Sequence, residues 1–528
     1  MQQANEVIEN PRAATFSGDF MRAEFFSQYQ SAFDLQVQFR VQAGQFAEAL
    51  VAAEQGRSRT LLDQLWPNAA HHSFSAERTA RIVEQWRTSD QPLLYYYVGS
   101  AASYLFVLGG SRHEIQSFPL KAGAETGVSA PGSNASSAAI AEVVERLRNT
   151  FRNERSAREI LSNAAVGLNV ANASAVLMPP PVVEYLRQEL ARGASCVTVI
   201  PHQSVSQLPL ESLLVGDARS RCYLVECCPP IVYAPSLSVL ADLERRQSAS
   251  AMAPSLLTIG DPILAASKSD AGHGGSDPNS GLIELPETEN ECHDIARAFA
   301  GRFGDRSVVV LTQAAASEAR FRAALENGRF MFLHLATHGI VGVDRGQPFG
   351  RMVLTAPASL PVSKNDDGFL DLEEIRNLDL AGCELTALSA CNTNLGTAIG
   401  LHDIRGNGDG ASLLSRGAAS RRLANTDTCF SLASAFLAAG SRRVLATQWE
   451  VADRSTKILI VSFFDKVSRE IAAGRSPNYA QLLAEARHDL RVFHPEFDTP
   501  FHWAPFVLIG PAQSAAPAQN RAGEPIAK

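Results

Sequence analysis

FMFLHLATHG at residues 330–339 and LTALSAC at residues 385–391 are two apolar stretches that each end in a reactive side chain. Apolar runs of this kind, separated by segments with helical periodicity, predict buried parallel strands in an α/β fold. The first run ends with His338 and Gly339, and the second ends with Cys391. Active sites in open parallel sheets lie outside the carboxyl ends of the strands, so neighbouring strands would bring His338 and Cys391 over one crevice.

These side chains suit nucleophilic catalysis. An imidazole can take the proton from a thiol and later give it to a leaving amine. The backbone N–H groups of Gly339 and Cys391 could hold the developing oxyanion. His338 precedes Cys391 by 53 residues, and caspases have the same order with a separation of about 50. A buried core cysteine and a hydrogen-bonded histidine are the structural alternatives, and order and spacing alone leave both interpretations open.

The bulk composition limits the class of protein. A chain of 528 residues is long enough for roughly two to four domains. Its 45% hydrophobic and 19% charged residues are typical of globular proteins. The net charge of −8 disfavours nucleic acids and anionic membrane surfaces as partners. Residues 92–111 carry no charge, but the tyrosines and the small-residue break at 99–103 predict a buried hairpin rather than a membrane span.

The N-terminus and the cysteines indicate a cytoplasmic protein without a metal or another cofactor. MQQANEVIEN at residues 1–10 lacks the basic start and apolar core of a secretory signal. The eight cysteines form no CxxC pair and no His/Cys cluster, so nothing supports a zinc site. His334 lies four residues before His338, which is a zinc-binding spacing on a helix but not on a strand, and we predict a packing or orienting role for it.

The rest of the chain extends the α/β pattern. Residues 17–66 predict a pair of helices that is broken at Gly44. Further strands are predicted at 93–98, 104–110, 196–201, 256–262, 308–312, 443–449 and 505–510. Helices are predicted at 138–161, 287–303, 317–327, 372–377, 429–439 and 454–473. Three segments are predicted to be loops, at 264–281, 344–367 and 392–427.

A series of motifs over residues 91–511 resembles the CHAT domain, a caspase-like domain that is often attached to TPR repeats and is related to separase. The motifs follow the order of that family: IPHQSVSQLPLESLL at 200–214, YLVECCPPIVYAPSLSVL at 223–240, GDP at 260–262, LPETENECHDIA at 285–296, LHLATHG at 333–339, LDLEEIRNLDLAGCELTALSACNT at 370–393, AFLAAGSRRVLATQWEVAD at 435–453 and HWAPFVLIG at 502–510. EQGRSRTLLDQL at 54–65 is similar to the connector between TPR repeats and CHAT domains.

The resemblance implies a Cys/His dyad at Cys391 and His338. It also implies a caspase-like parallel-sheet sandwich preceded by a short helical hairpin. The implied domains are a TPR-like hairpin at 1–66, an inactive caspase-like half at 67–250, a catalytic half at 251–512 and a disordered tail at 513–528. Our hypothesis is a bacterial, cytoplasmic cysteine endopeptidase that cleaves a protein substrate and is released from inhibition by a partner or by processing.

The QWEVAD segment offers candidates for a substrate pocket. Trp449 is expected to pack on the crevice wall. Glu450 or Asp453 could line the pocket for the residue before the scissile bond and favour a basic side chain there. A structural role for each acid stays open.

One departure from the family pattern concerns the segment after the predicted nucleophile. Residues 396–427 form a long insertion with arginines near 416–422, where we hypothesise processing of the chain, and Ser431 replaces the usual glycine. The alternative function is therefore a catalytically inactive scaffold or adaptor. An αβ hydrolase or nucleotide binder is disfavoured, since neither GxSxG nor a phosphate-binding glycine loop occurs. The substrate protein, the activator and the oligomeric state cannot be deduced from these patterns.

Overall fold

The computed structural model describes residues 30–57, 61–62, 65, 76–121, 134–217, 220–246, 252–264, 282–344, 347–357, 366–390, 393 and 431–513. Several predictions fall outside these residues, among them those for Cys391, for the loop at 265–281, for the insertion at 396–427 with its cleavage region, and for the tail beyond residue 513.

Strands and helices alternate along most of the chain. The strands are β1 Leu93–Val98, β2 Ser103–Leu108, β3 Gln116–Pro119, β4 Val197–Ile200, β5 Leu214–Val215, β6 Cys222–Tyr223, β7 Ile231–Tyr233, β8 Leu256–Pro262, β9 Val308–Gln313, β10 Phe332–Ala336, β11 Gly339–Asp344, β12 Gln347–Val353, β13 Phe369–Asp371, β14 Leu385–Ser389, β15 Val444–Thr447 and β16 Phe506–Ile509. The helices are α1 Gln30–Gln42, α2 Phe46–Gln55, α3 Ala76–Arg87, α4 Ser137–Phe151, α5 Glu154–Ser162, α6 Ala164–Leu177, α7 Pro180–Ala191, α8 Leu237–Arg245, α9 Pro286–Phe303, α10 Glu318–Asn327, α11 Leu372–Arg376, α12 Leu432–Ala438, α13 Asp453–Ala472, α14 Tyr479–Phe493 and α15 Pro500–Trp503.

Eleven strands form one continuous sheet in the order β3-β2-β1-β4-β7-β16-β15-β14-β10-β8-β9. Most neighbouring strands in it are parallel, whereas β1, β2 and β3 pair antiparallel at one edge and β16 pairs antiparallel with β15. The predicted α/β class is confirmed: a helical hairpin precedes a large, mostly parallel sheet along the chain. The predicted domain boundaries stay a prediction.

The central strands are buried on both faces, which explains their mostly apolar sequences. Every residue of β10 and β14 is buried. On one face, Phe299 of α9 and Phe464 of α13 each contact Phe332 edge-on, with ring centroids 5.9 and 6.3 Å apart. Helices α9 and α13 thus cover β10 on this face of the sheet.

The uncharged segment at 92–111 forms the predicted hairpin. β1 and β2 pair antiparallel over their full length, and all of their residues are buried. No single helix in the described part of the chain is long and apolar enough to cross a membrane. One helix pair, α5 with α6, reaches the required length and composition together, but the two helices meet at 102°.

Two predictions of local structure were wrong in detail. The single helix predicted at 138–161 is divided into α4 and α5, because the side chain of Asn153 accepts a hydrogen bond from Ser156 N–H and begins a new helix. The loop predicted at 344–367 contains β12, which pairs with β11 and β13 in a separate three-stranded sheet. The strand was not predicted from the sequence because it contains Pro348 and Gly350, and proline and glycine are uncommon in strands.

The predicted helical hairpin is formed by α1 and α2, with Gly44 in the left-handed conformation between them. A buried carboxylate joins it to the α/β body. Glu54 of α2 accepts hydrogen bonds from the backbone N–H groups of Leu237 and Ser238 at the start of α8, at 3.1 Å each. Free N–H groups and the helix dipole at a helix N-terminus stabilise a carboxylate in this position.

Candidate functional site

The strands that carry the predicted dyad are neighbours, as expected from the sequence. β10 and β14 pair in parallel register, with Ala336 opposite Ser389. His338 follows Ala336 by two residues, and Cys391 follows Ser389 by two residues in the sequence. The expectation that two strands would end side by side is therefore confirmed for β10 and β14. The distance between the thiol and the imidazole stays a prediction, because Cys391 lies outside the described residues.

The imidazole of His338 is partly exposed at the end of β10. Its Nε2 atom lies 2.7 Å from the carbonyl oxygen of Ile283. A carbonyl oxygen can only accept a hydrogen bond, so Nε2 must carry the hydrogen. The neutral ring then presents Nδ1 as its basic nitrogen. This tautomer is the one that a general base acting through Nδ1 requires.

The backbone around His338 is fixed by the hairpin of β11 and β12. The carbonyl oxygen of His338 accepts a hydrogen bond from Val353 N–H at 2.9 Å. The hydroxyl of Thr337 donates to the carbonyl oxygen of Val353 at 2.5 Å. Gly339 begins β11 directly after the histidine and lies opposite Met352. The predicted base and the predicted oxyanion donor therefore share one anchored segment.

Thr447, at the carboxyl end of β15, binds the residues on both sides of the predicted nucleophile. Its hydroxyl donates to the carbonyl oxygen of Ala390. Its backbone N–H donates to the hydroxyl of Thr393 at 2.8 Å. All three residues are buried. Only Cys391 and Asn392 lie between these anchored positions in the sequence.

His334 lies in a buried polar network beneath this end of the sheet. Its Nδ1 atom is 2.8 Å from the hydroxyl of Thr258, and its Nε2 atom is 2.7 Å from Glu291 and 3.3 Å from the hydroxyl of Ser389. Both nitrogens therefore already have protein partners, which fits the predicted orienting role and leaves neither lone pair directed at an open metal position. The network connects α9 to β14 two residues before Cys391.

The structure separates the three pocket candidates. Trp449 is buried, and its indole N–H donates to the carbonyl oxygen of Phe501 at 3.1 Å. Glu450 is exposed. Asp453 is the first residue of α13 and is half-buried. Asp453 is therefore the less exposed of the two acids, and the pocket assignment stays a prediction.

The surroundings of Asp453 connect it to His338. Burial raises the pKa of the Asp453 carboxyl, and the charges of Glu291 and Glu287 add to that increase. A hydrogen bond from the backbone N–H of Glu287 and the charge of His338 act in the opposite direction. Asp453 thus lies within electrostatic range of the imidazole, beside the N-terminus of α9.

Sequence reasoning missed three contributors to this site: Ile283, Glu291 and Thr447. Ile283 acts through a backbone carbonyl, which has no signature in the sequence. Thr447 had a usable signal, because it lies near the carboxyl end of the strand predicted at 443–449, at the same sheet edge as the proposed dyad. Glu291 had a weaker signal as an acid on the buried face of a helix that packs on the sheet.

The family model described as the CHAT domain matches residues 171–511. No curated protein sequence matches the chain. Among solved structures, the Arg-specific cysteine proteinase gingipain R is similar over 64% of this chain and 70% of its own, with a TM-score of 0.37 and 9% identity. Separase from Saccharomyces cerevisiae, in complex with securin, is similar over 96% of this chain, with a TM-score of 0.49 and 11% identity. The chain spans 37% of the length of that separase, and TM-scores this low support no functional inference.

Proposed function

The chain belongs to the CHAT-domain family, and from this premise we propose that it is a cysteine endopeptidase with Cys391 as the nucleophile and His338 as the general base. One observation carries the proposal. Ala336 of β10 pairs with Ser389 of β14, and His338 and Cys391 each follow two residues after these paired residues. The hydrogen bond from Nε2 of His338 to the carbonyl oxygen of Ile283 supports the proposal further, because it leaves Nδ1 free to act as the base.

The proposed reaction has two stages. In the first, His338 takes the thiol proton, the sulfur of Cys391 attacks the peptide carbonyl carbon, and the N–H groups of Gly339 and Cys391 stabilise the oxyanion. The C–N bond then breaks as the protonated imidazole gives its proton to the leaving amine. In the second stage, His338 removes a proton from water, the resulting hydroxide attacks the thioester carbon, and the carbon–sulfur bond breaks. The product is a carboxylic acid, and the thiol is restored.

Asp453 is the residue that we propose for recognition of the substrate. A half-buried carboxylate near His338 would accept an arginine or lysine side chain before the scissile bond. Glu450 is too exposed to contribute equally. We further propose a protein substrate and a regulatory protein partner, in a cytoplasmic setting.

The second candidate function is an inactive scaffold or adaptor. The insertion at 396–427 is the feature that favours it, because it follows the nucleophile directly. Ser431 no longer adds to that argument. Its side chain accepts a hydrogen bond from Ser434 N–H at 3.1 Å and begins α12, so a serine is a suitable replacement for glycine here.

The test is digestion of a peptide library, with the cleaved bonds identified by mass spectrometry. The wild type should cleave, whereas Cys391→Ala and His338→Ala should each lose activity almost completely while remaining folded, since the two groups act as one unit. Cys383→Ala is the matched control, because Cys383 is buried at the opposite end of β14. Retained cleavage in Cys391→Ala would refute the assignment, and an inactive wild type under all activating conditions would favour the scaffold.

A further inference from the structure

A pair of cysteines lies away from the proposed catalytic site. Cys222 belongs to β6, and Cys227 directly follows a short 3₁₀ helix, Leu224–Glu226. Their sulfur atoms are 3.2 Å apart, and both side chains are half-buried. Two partly exposed cysteines therefore already face each other through their sulfur atoms.

A positive charge lies beside this pair. The guanidinium of Arg187, on α7, is 3.9 Å from the sulfur of Cys222. Within the part of the chain that the structure describes, Arg187 forms no ion pair with a carboxylate. Its nearest polar contact is a thiol, so its charge is available to stabilise a thiolate.

The two sulfurs differ in acidity. The hydrogen bond with Cys227 and the charge of Arg187 lower the pKa of the Cys222 thiol to about 6, although burial and the Glu226 carboxylate oppose them. The same hydrogen bond raises the pKa of Cys227, and burial and the neighbouring Cys228 add to this. At pH 7, a larger fraction of Cys222 is therefore thiolate than of an ordinary cysteine.

The surrounding turn keeps the sulfurs together. Glu226 accepts a hydrogen bond from Tyr223 N–H at 2.8 Å and another from Arg491 of α14 at 2.8 Å. The backbone N–H of Cys227 donates to the carbonyl oxygen of Leu224 at 3.0 Å. A disulfide has a sulfur–sulfur distance of about 2.05 Å, so a shift of roughly 1 Å, well within side-chain rotation, would form one.

We propose that Cys222 and Cys227 are an oxidation site that reacts with low-molecular-weight disulfides, of which oxidised glutathione is the probe, to form an intramolecular disulfide. The Cys222 thiolate attacks one sulfur of the probe, breaks its S–S bond and releases one glutathione thiolate. Cys227 loses its proton to solvent, attacks the Cys222 sulfur and expels the second glutathione. Two protein thiols are oxidised, and one small disulfide is reduced to two thiols.

The other described cysteines react less readily. Burial raises the pKa of Cys196 and of Cys383 to about 11. Burial also raises the pKa of Cys228 and of Cys292. Selectivity for Cys222 therefore follows from exposure and charge together.

The test is treatment of the full chain with oxidised glutathione at pH 7, followed by alkylation and tryptic digestion. Cleavage after Arg221 and Arg245 gives one peptide that contains Cys222, Cys227 and Cys228. We expect this peptide to lose two hydrogen atoms and to carry a single alkyl group on Cys228, and a reductant should reverse the change. Cys222→Ser and Cys227→Ser should abolish the internal disulfide, whereas Cys228→Ser should retain it.

A second measurement tests the role of Arg187. The alkylation rate of Cys222 in the unoxidised wild type should rise to its half-maximum near pH 6. Arg187→Met should move that midpoint upward and slow alkylation at pH 6 by about five- to tenfold. Arg192→Met removes an exposed cation from the end of the same helix and should leave the midpoint in place. A disulfide from Cys222 to Cys228, a stable glutathione adduct without an internal disulfide, or no oxidation of the folded chain would each overturn the proposal.

Discussion

Thr447→Val removes a single hydroxyl beside the proposed nucleophile. That hydroxyl donates to the carbonyl oxygen of Ala390, the residue before Cys391, and lies 3.2 Å from the hydroxyl of Thr393. The backbone N–H of residue 447 remains and continues to bind Thr393 at 2.8 Å. The substitution therefore releases Ala390, and it weakens but does not abolish the contact with Thr393, whose backbone N–H also donates to the lost hydroxyl at 3.4 Å.

The expected magnitude follows from these contacts. A buried carbonyl that loses its donor costs about 1–3 kcal/mol of the free energy of unfolding. Valine has nearly the shape of threonine, so little cavity should be added. If Ala390 relaxes and moves the sulfur of Cys391 by about 1 Å, kcat should fall by about 10–100-fold. KM should change little, because Thr447 is buried and its side chain is not accessible to a substrate.

Thr386→Val is the matched control. Thr386 is also a buried threonine on a central strand, and its hydroxyl donates to the hydroxyl of Ser441 at 3.0 Å. It lies near the start of β14, at the end away from Cys391. Urea unfolding should show a similar loss of about 1–3 kcal/mol in both variants, whereas peptide cleavage should fall only in Thr447→Val. Equal kcat values in the two variants would refute the positioning role of Thr447.

The other predictions concern buried and pocket acids. Glu291→Leu should lower the free energy of unfolding by about 1–3 kcal/mol, because Nε2 of His334 loses its contact at 2.7 Å and keeps only the hydroxyl of Ser389 at 3.3 Å, and urea unfolding should show a much smaller change for the less buried Glu289→Leu. Burial raises the pKa of Glu318 to about 7, so the folded state binds the proton more tightly than the unfolded state does. Relative to Glu318→Gln, the wild type should therefore lose up to about 3 kcal/mol between pH 5 and pH 8 in urea unfolding, and a difference independent of pH would contradict this. Asp453→Asn should raise KM for peptides with arginine or lysine before the scissile bond by about tenfold or more. Glu450→Gln should leave that KM unchanged, and an equal effect of both substitutions would place the pocket elsewhere.

The sequence was most informative where burial is complete. β10 and β14 are buried on both faces, so their sequences are mostly apolar, although His334, Thr386 and Ser389 are polar residues within them. This is why His338 could be located at a strand end without a structure. β12 escaped prediction because it belongs to a small separate sheet and contains Pro348 and Gly350, so neither periodicity nor propensity marks it.

Parts of the site that depend on the backbone could not be predicted. The tautomer of His338 is set by the carbonyl of Ile283, and any residue type could supply that oxygen. His334 illustrates the intermediate case. A packing or orienting role was predicted from its position on the strand, but its partners Thr258 and Glu291 come from β8 and α9, far away in the sequence. Contacts of that kind follow from topology rather than from a local pattern.

The half of the chain without the dyad also contributes to the site. Gln448 follows Thr447 directly, and its carbonyl oxygen accepts a hydrogen bond from the buried Arg148 of α4 at 3.3 Å. The side-chain amide of Gln448 donates to the carbonyl oxygen of Ser206 at 3.0 Å. β16 lies between β7 and β15 and closes the sheet across both halves. These bonds fix the carboxyl end of β15, so Arg148 and Ser206 support the position of Thr447. Through Thr447 they also support the segment that carries Cys391, although neither of them is a proposed catalytic group.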